Sequence, residues 1–174
     1  AFDEQARALV EGGVDAVIIE TQTSLEELEI GIQAAKKAGA SCIIGSMAYD
    51  MLADESGFKT MMGVAPEQAA EFMAGAGVDI IALNCGTGMT IQRALEGVHA
   101  YQSVTGKPTM VQPNAGLPEL VNLKVVYRET PEEMGAGLVP LLEAGAGIIG
   151  GCCGSTADHI RHFRGVIDDA LSKK

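Results

Sequence analysis

Four cysteines, Cys42, Cys85, Cys152 and Cys153, are the residues of this chain best suited to chemistry. A thiolate is both a nucleophile and a soft anionic metal ligand. The four are not spaced as staples of a small extracellular scaffold, so metal binding or catalysis is the better starting reading. Two of them are adjacent, in Gly150-Gly151-Cys152-Cys153-Gly154. Neighbouring side chains diverge in a regular helix or strand. Flanking glycines relax that limit, because they reach backbone conformations that aim both sulfurs inward. Cys85 stands in a similar setting, Asn84-Cys85-Gly86-Thr87-Gly88. Structural zinc sites usually take four protein ligands, whereas three cysteines leave one coordination position open, as catalytic zinc sites do. Two other readings stay open on the residues alone: inert buried thiols, and a redox pair of Cys152 and Cys153. Adjacent cysteines form only a strained disulfide, which disfavours the pair. Cys42 falls inside an expected strand and reads as a buried thiol. His99, His159 and His162 fall within expected helices and read as surface or packing residues.

The elements that must position these cysteines alternate regularly. The chain opens on a helical pattern, AFDEQARALVEGG. Apolar, β-branched runs predict strands at 14–20, 41–46, 79–84, 108–112 and 146–150. Between them, Ser24-Leu25-Glu26-Glu27 is a capping-box pattern for a helix ending at Gly39. Pro66 opens a helix to about Gly77, and another spans about 89–104. Thr130-Pro131-Glu132-Glu133 opens a helix to about Gly145, and Ser155 or Thr156 caps the last one. The result is five β/α units, which fit either a doubly wound open sheet or part of a (β/α)8 barrel. In either architecture function sits at the C-terminal ends of the strands. Those ends carry Glu20-Thr21, Ser46, Asn84-Cys85-Gly86, Pro113-Asn114 and the cysteine pair. The segment 113–130 is long for a βα connection, and loops of such length are usually functional.

Composition bounds the function. The chain has 174 residues, 47% hydrophobic and 20% charged, with a formal net charge of -11 and no tryptophan. A chain this acidic lacks the basic footprint of a nucleic-acid or anionic-membrane binder, and aromatics at 4% give no base-stacking platform. No apolar run approaches a membrane span and no secretory signal is visible, so a cytoplasmic location is expected. There is no G-x-x-x-x-G-K-[ST] motif, and the glycine-rich turns give nucleotide binding little support.

Three motifs occur in order: NCGTG at 84–88, PNAGLP at 113–118 and GGCCG at 150–154. With EGGVDAVIIET at 11–21, TPEEM at 130–134 and STADHIRHF after the cysteine pair, nearly the whole chain resembles the zinc-dependent homocysteine S-methyltransferase family. The likeness is in particular to the homocysteine-binding domain of cobalamin-dependent methionine synthase. The resemblance implies a partial (β/α)8 TIM barrel of about five parallel β/α units, corresponding to strands 4–8, with residues 1–174 as the C-terminal part of that domain. It implies Zn²⁺ bound by Cys85, Cys152 and Cys153. It further implies that Glu20 binds the homocysteine amino group, that Asn114 supplies an oxygen ligand when substrate is absent, and that Ser46 lines the pocket. The expected reaction is attack of a zinc-bound homocysteine thiolate on a methyl donor. That donor is methylcobalamin on a separate domain or partner, or a small molecule such as S-methylmethionine or betaine. No cobalamin-binding DxHxxG motif occurs in these residues.

The family's N-terminal D-G-[AG]-M-G-T-like segment, with its amine-binding Asp, has no counterpart here. A fragment of a longer chain, a short natural variant and a partial barrel completed by self-association remain as explanations. A non-catalytic protein with a structural zinc site is the competing function.

Overall fold

All five apolar runs form strands, and their order settles the architecture. In the computed structural model, which describes residues 1–173, the elements begin with α1 (Phe2–Glu11), β1 (Val17–Gln22), α2 (Leu25–Ala38) and β2 (Ile43–Ala48). A short hairpin of β3 (Asp50–Met51) and β4 (Phe58–Lys59) precedes α3 (Pro66–Gly75), β5 (Ile80–Asn84), α4 (Ile91–Val104) and β6 (Thr109–Gln112). A second hairpin, β7 (Glu119–Val121) with β8 (Lys124–Val126), precedes α5 (Pro131–Gly135), α6 (Leu138–Glu143), β9 (Ala146–Ile149) and α7 (Ala157–Ser172). The main sheet is parallel in the order β1-β2-β5-β6-β9. A doubly wound sheet reverses its strand order at a switch point. This sheet never does: each strand is added beside the last, as in a barrel wall.

The caps explain several boundaries. Ser24 accepts a hydrogen bond from the Glu27 amide, and Gly39 closes α2 in the left-handed conformation at φ 84°. Thr130 and Glu133 form a full capping box. Pro66 takes the first turn of α3.

The core lies between the sheet and its helices. Val17, Ile19, Ile43, Met47, Ile81, Leu83, Val111 and Ala146 face the helices and are buried with Leu28, Ile32, Met73, Val98 and Leu141. Strand side chains alternate between faces. The opposite face therefore carries Ile18, Glu20, Ser46, Asn84, Met110, Gln112 and Ile148. In a closed barrel this face is interior. Here it is well covered in the middle, where Ser46 and Asn84 are fully buried, and open at the margins, where Ile18 and Ile148 are 37% and 42% exposed. The sheet is part of a barrel wall, with free edges on β1 and β9 among the described residues.

Three expectations need correction. Cys42 lies just before β2, not within it, and is half-buried. The single helix expected from 130 to 145 is two, α5 and α6. Pro140 lacks an amide hydrogen and its ring would clash one turn back in a continuous helix, but it is tolerated in the first turn of a new one. The break at 135–137 also brings Gly135 against His162 and Gly137 against Ile91, where side chains would collide. Finally, the long connections at 49–65 and 113–130 each hold a hairpin that strand periodicity did not reveal.

Candidate metal centre

Cys85 directly follows β5, and its backbone turns sharply to bring the sulfur over the strand ends. Its φ is 51° and that of Gly86 is 91°. A side chain at Gly86 would run into the Tyr49 carbonyl, so only glycine fits there. The Cys85 amide donates to the Gln112 carbonyl at 3.3 Å. The first hairpin clamps the rest of this turn: Thr87 N–H donates to Asp50 Oδ1 at 2.7 Å, and Met51 N–H donates to the Thr87 carbonyl at 2.9 Å.

Cys152 and Cys153 follow β9 in a turn tied to the β6 side. Gly150 N–H donates to the Val111 carbonyl at 2.8 Å and Cys152 N–H to the Pro113 carbonyl at 2.8 Å. Ala115 N–H donates to the Cys153 carbonyl at 2.9 Å. Asn114 joins the two cysteine turns. Its Nδ2 donates to the Gly86 carbonyl at 2.9 Å, and its Oδ1 accepts from the Cys153 amide at 3.2 Å.

The outcome is convergence. The sulfurs of Cys85, Cys152 and Cys153 all lie within 4.8 Å of one another, with Cys85 and Cys153 at 3.6 Å. Burial raises the Cys85 thiol above its ordinary range. Burial first, and then the neighbouring Cys85, push Cys152 up to about 12. Thiols gathered this closely resist ionising together, and a bound cation reverses that preference. The donor set, three half-buried sulfurs without a carboxylate or imidazole in the group, suits a soft divalent metal.

The other expected residues are placed differently. Ser46 is fully buried and donates through Oγ to Asn84 Oδ1 at 2.6 Å. Asn114 is buried between the two turns. Glu20 is exposed on β1, beside a bulge where pairing with β2 is irregular between Ile19 and Gln22. The next residue, Thr21, has φ 59°, which is strained for a β-branched residue. It is held by Asn84, which accepts from Thr21 N–H at 3.2 Å and donates to Thr21 Oγ1 at 2.8 Å. Asn84 Nδ2 also lies 4.0 Å from Cys152 Sγ.

Asn84 is therefore the hub that the motif reading missed, although a polar residue ending the apolar run DIIALN was its signal. His159 is a second. It is buried, with Nδ1 meeting the Thr156 amide at 3.1 Å and Nε2 meeting the Glu129 carbonyl at 3.0 Å, so it ties α7 to the segment before α5. His99 is exposed.

Fold and site together define a parallel β/α barrel-type protein with three convergent thiols at its strand ends. A family model described as homocysteine S-methyltransferase matches residues 1–167, and the chain belongs to that family. Methionine synthase of Mycobacterium leprae (strain TN) is 30% identical over 169 residues, 96% of this chain. That of Mycobacterium tuberculosis (strain ATCC 25618 / H37Rv) is 29% identical over 169 residues. The chain spans 14% of the length of these two relatives. Among solved structures, the apo homocysteine methyltransferase MmuM from Escherichia coli superposes with a TM-score of 0.71 at 20% identity, covering 95% of this chain and 56% of that one. The carboxyl transferase domain of Rhizobium etli pyruvate carboxylase with pyruvate gives 0.59 at 17% identity, covering 87% and 23%. These likenesses carry the fold. No helix among the described residues is long and apolar enough to cross a membrane.

Proposed function

We propose that this chain is the C-terminal part of a homocysteine-binding domain, in which Cys85, Cys152 and Cys153 hold Zn²⁺ and a homocysteine sulfur takes the fourth position before methylation. The observation that carries the proposal is the spacing of the sulfurs. Tetrahedral Zn–S bonds of about 2.3 Å separate sulfur atoms by about 3.8 Å. The 3.6 Å between Cys85 and Cys153, and the 4.8 Å bound on all three, are close to that before any metal draws them together. With no fourth protein ligand in the group, one coordination position is left for substrate.

Zn²⁺ in this site supplies one service, favouring the thiolate over the thiol form of an incoming sulfur at neutral pH. The rest falls to the chain. Asn84 and Asn114 hold the sulfurs in register. The Glu20 carboxylate accepts a charge-assisted hydrogen bond from the substrate ammonium. Ser46, fully buried below Asn84, acts by supporting that residue. Two buried polar atoms without a hydrogen-bond partner, Gln112 Oε1 and Ser155 Oγ, sit beside Gly150 and Gly151 and offer polar contacts to a ligand.

The activated sulfur attacks a methyl group on a donor carried outside these residues, giving methionine. Methylcobalamin on another module is the donor we favour over a small molecule. Leu120, Leu123 and Val125 of the second hairpin, and Met61 and Met62 after the first, are exposed apolar residues that suit a macromolecular surface. The competing reading is a purely structural zinc site, and the exposure of Glu20 on a free sheet edge favours it.

Isothermal titration of zinc-loaded protein with L-homocysteine decides between them. The proposal expects binding that requires zinc and releases a proton. Zinc-loaded protein that binds no homocysteine leaves the structural reading. Protein that stays metal-free after zinc reconstitution overturns both.

A further inference from the structure

Beyond the three sulfurs and the two asparagines, one side chain reaches the cluster from the second hairpin. Tyr127 follows β8 directly, and its ring lies on the backbone of Gly154, where any side chain would collide with it. Gly154 closes the GGCCG turn with φ 82°, so the ring covers the one residue of the turn that must stay bare. The phenol hydroxyl hydrogen-bonds to Cys153 and lies within reach of the charge on Cys85 and Cys152. The backbone just beyond it is pinned. Glu129 N–H donates to the Ala115 carbonyl at 3.2 Å, Ala115 N–H donates to the Cys153 carbonyl at 2.9 Å, and His159 holds the Glu129 carbonyl. Tyr127 is thus fixed to the turn it covers by its ring, its hydroxyl and the chain that follows.

We infer that Tyr127 is a positioning residue of the metal centre: its hydroxyl donates to Cys153 Sγ and its ring seals the Cys152-Cys153-Gly154 turn. The inference rests on the zinc reading above. Its physical basis is charge. Three thiolates around a divalent ion leave a net charge of about -1, and a fourth thiolate makes it about -2. In a half-buried site that charge needs hydrogen-bond donors on the sulfurs, and such outer partners also fix the direction of each ligand. Asn84 is the side-chain donor near Cys152. Tyr127 is the donor for Cys153. The second hairpin, with Glu119 paired to Arg128 at 2.9 Å across its base, presents this tyrosine to the metal ligands.

The test is Tyr127→Phe, which keeps the ring and removes only the hydroxyl. Competition with a chromophoric chelator should show zinc affinity reduced by roughly tenfold, the low end for loss of an outer partner. Cobalt-substituted protein gives a second readout that packing alone does not move. Losing the donated hydrogen bond raises the energy of the Cys153 sulfur electrons, so the sulfur-to-cobalt charge-transfer band should shift to longer wavelength. Tyr127→Leu, which removes the ring as well, should lower affinity further. Wild-type protein that binds metal beside a Tyr127→Phe chain with the same affinity and the same cobalt spectrum overturns this inference and leaves the zinc reading intact. Wild-type protein that takes up no metal overturns both.

Discussion

The two sides of the strand-end rim are built to different standards. On the β5–β6–β9 side every cysteine turn is bonded at several backbone positions, crossed by Asn114 and covered by a hairpin. On the β1 side Glu20 stands exposed beside a bulge, Ile18 is 37% exposed, and the strand has one neighbour among the described residues. A metal site needs its ligand atoms held to a fraction of an ångström, and a closed hydrogen-bond network does that from within these residues. An amine-binding carboxylate gains its affinity from being enclosed, and β1 does not enclose Glu20. The contrast separates holding a metal from holding a substrate, and each can be broken without the other.

The largest effect is expected from the cysteines. Cys152→Ala leaves two sulfurs and should take the chain from one zinc per chain to almost none, measured by mass spectrometry of the metal after dialysis. Cys85→Ala should do the same. Retention of full metal by either variant would refute the three-sulfur site. The rejected redox reading is tested by the same samples. The close pair is Cys85 with Cys153 at 3.6 Å, not the adjacent pair. Mild oxidation of metal-free protein should therefore consume Cys85 and Cys153 together by peptide mapping, and zinc should protect them.

Asn84→Ala comes next. It removes the acceptor for Ser46 Oγ and for the Thr21 amide and the donor to Thr21 Oγ1. Buried groups left without partners cost about 1–3 kcal/mol each, so a total loss of roughly 2–4 kcal/mol in urea unfolding is expected, after allowing for relaxation. This residue joins the two halves, and its variant should weaken both metal and homocysteine binding. A variant that unfolds like the wild type would mean that water replaces the network.

Glu20→Gln sharpens the contrast from the other side. An exposed carboxylate contributes little to folding, so metal content should be unchanged and stability should move by less than about 0.5 kcal/mol. Homocysteine affinity should fall about tenfold, equivalent to about 1.4 kcal/mol for one charge-assisted hydrogen bond. Equal homocysteine affinity in the two proteins, measured by titration, would remove Glu20 from the substrate site.

How much of this was legible in the sequence divides along the same line. Strands and helices repeat with simple periods, so the five units could be read from VDAVIIE, SCIIGS, DIIALN, PTMVQ and AGIIG. Boundaries were best where a cap fixed them, as at Ser24, Gly39 and Thr130. The cysteines were legible because glycine-flanked thiols at two strand ends have few other uses. Asn84, His159 and Tyr127 were hidden because their roles depend on partners 63, 30 and about 26 residues away along the chain. Such pairings leave no periodic trace. The hairpins escaped for a related reason: β3 and β4 have two residues each and β7 and β8 three, too short for alternation to register. Strand order also lay beyond the sequence, since both open and barrel sheets alternate in the same way.

The smallest effect expected is a pH dependence of folding that belongs to the metal-free protein. Cys85 and Cys152 both hold their protons more tightly when folded than the ordinary thiol value of 9.0, Cys152 up to about 12, chiefly through burial. Between those values the folded chain keeps a proton that the unfolded chain has released. The unfolded state then binds fewer protons, so stability falls as pH rises. The stabilisation is fully present below about pH 9 and is lost progressively toward pH 12. The thiols are half-buried, and solvent screening keeps the loss modest. Urea unfolding of metal-free protein at pH 8 and pH 10.5, beside Cys152→Ser, isolates the contribution, because other groups titrating in that range are common to both. The wild type should lose more stability than the variant over this interval. Zinc-loaded protein should show no such thiol-linked loss, since its ligand sulfurs carry no proton to release. If the wild type and Cys152→Ser lose stability in parallel, the sulfurs are not crowded as the geometry requires, and the well-built half of the rim is looser than its hydrogen bonds imply.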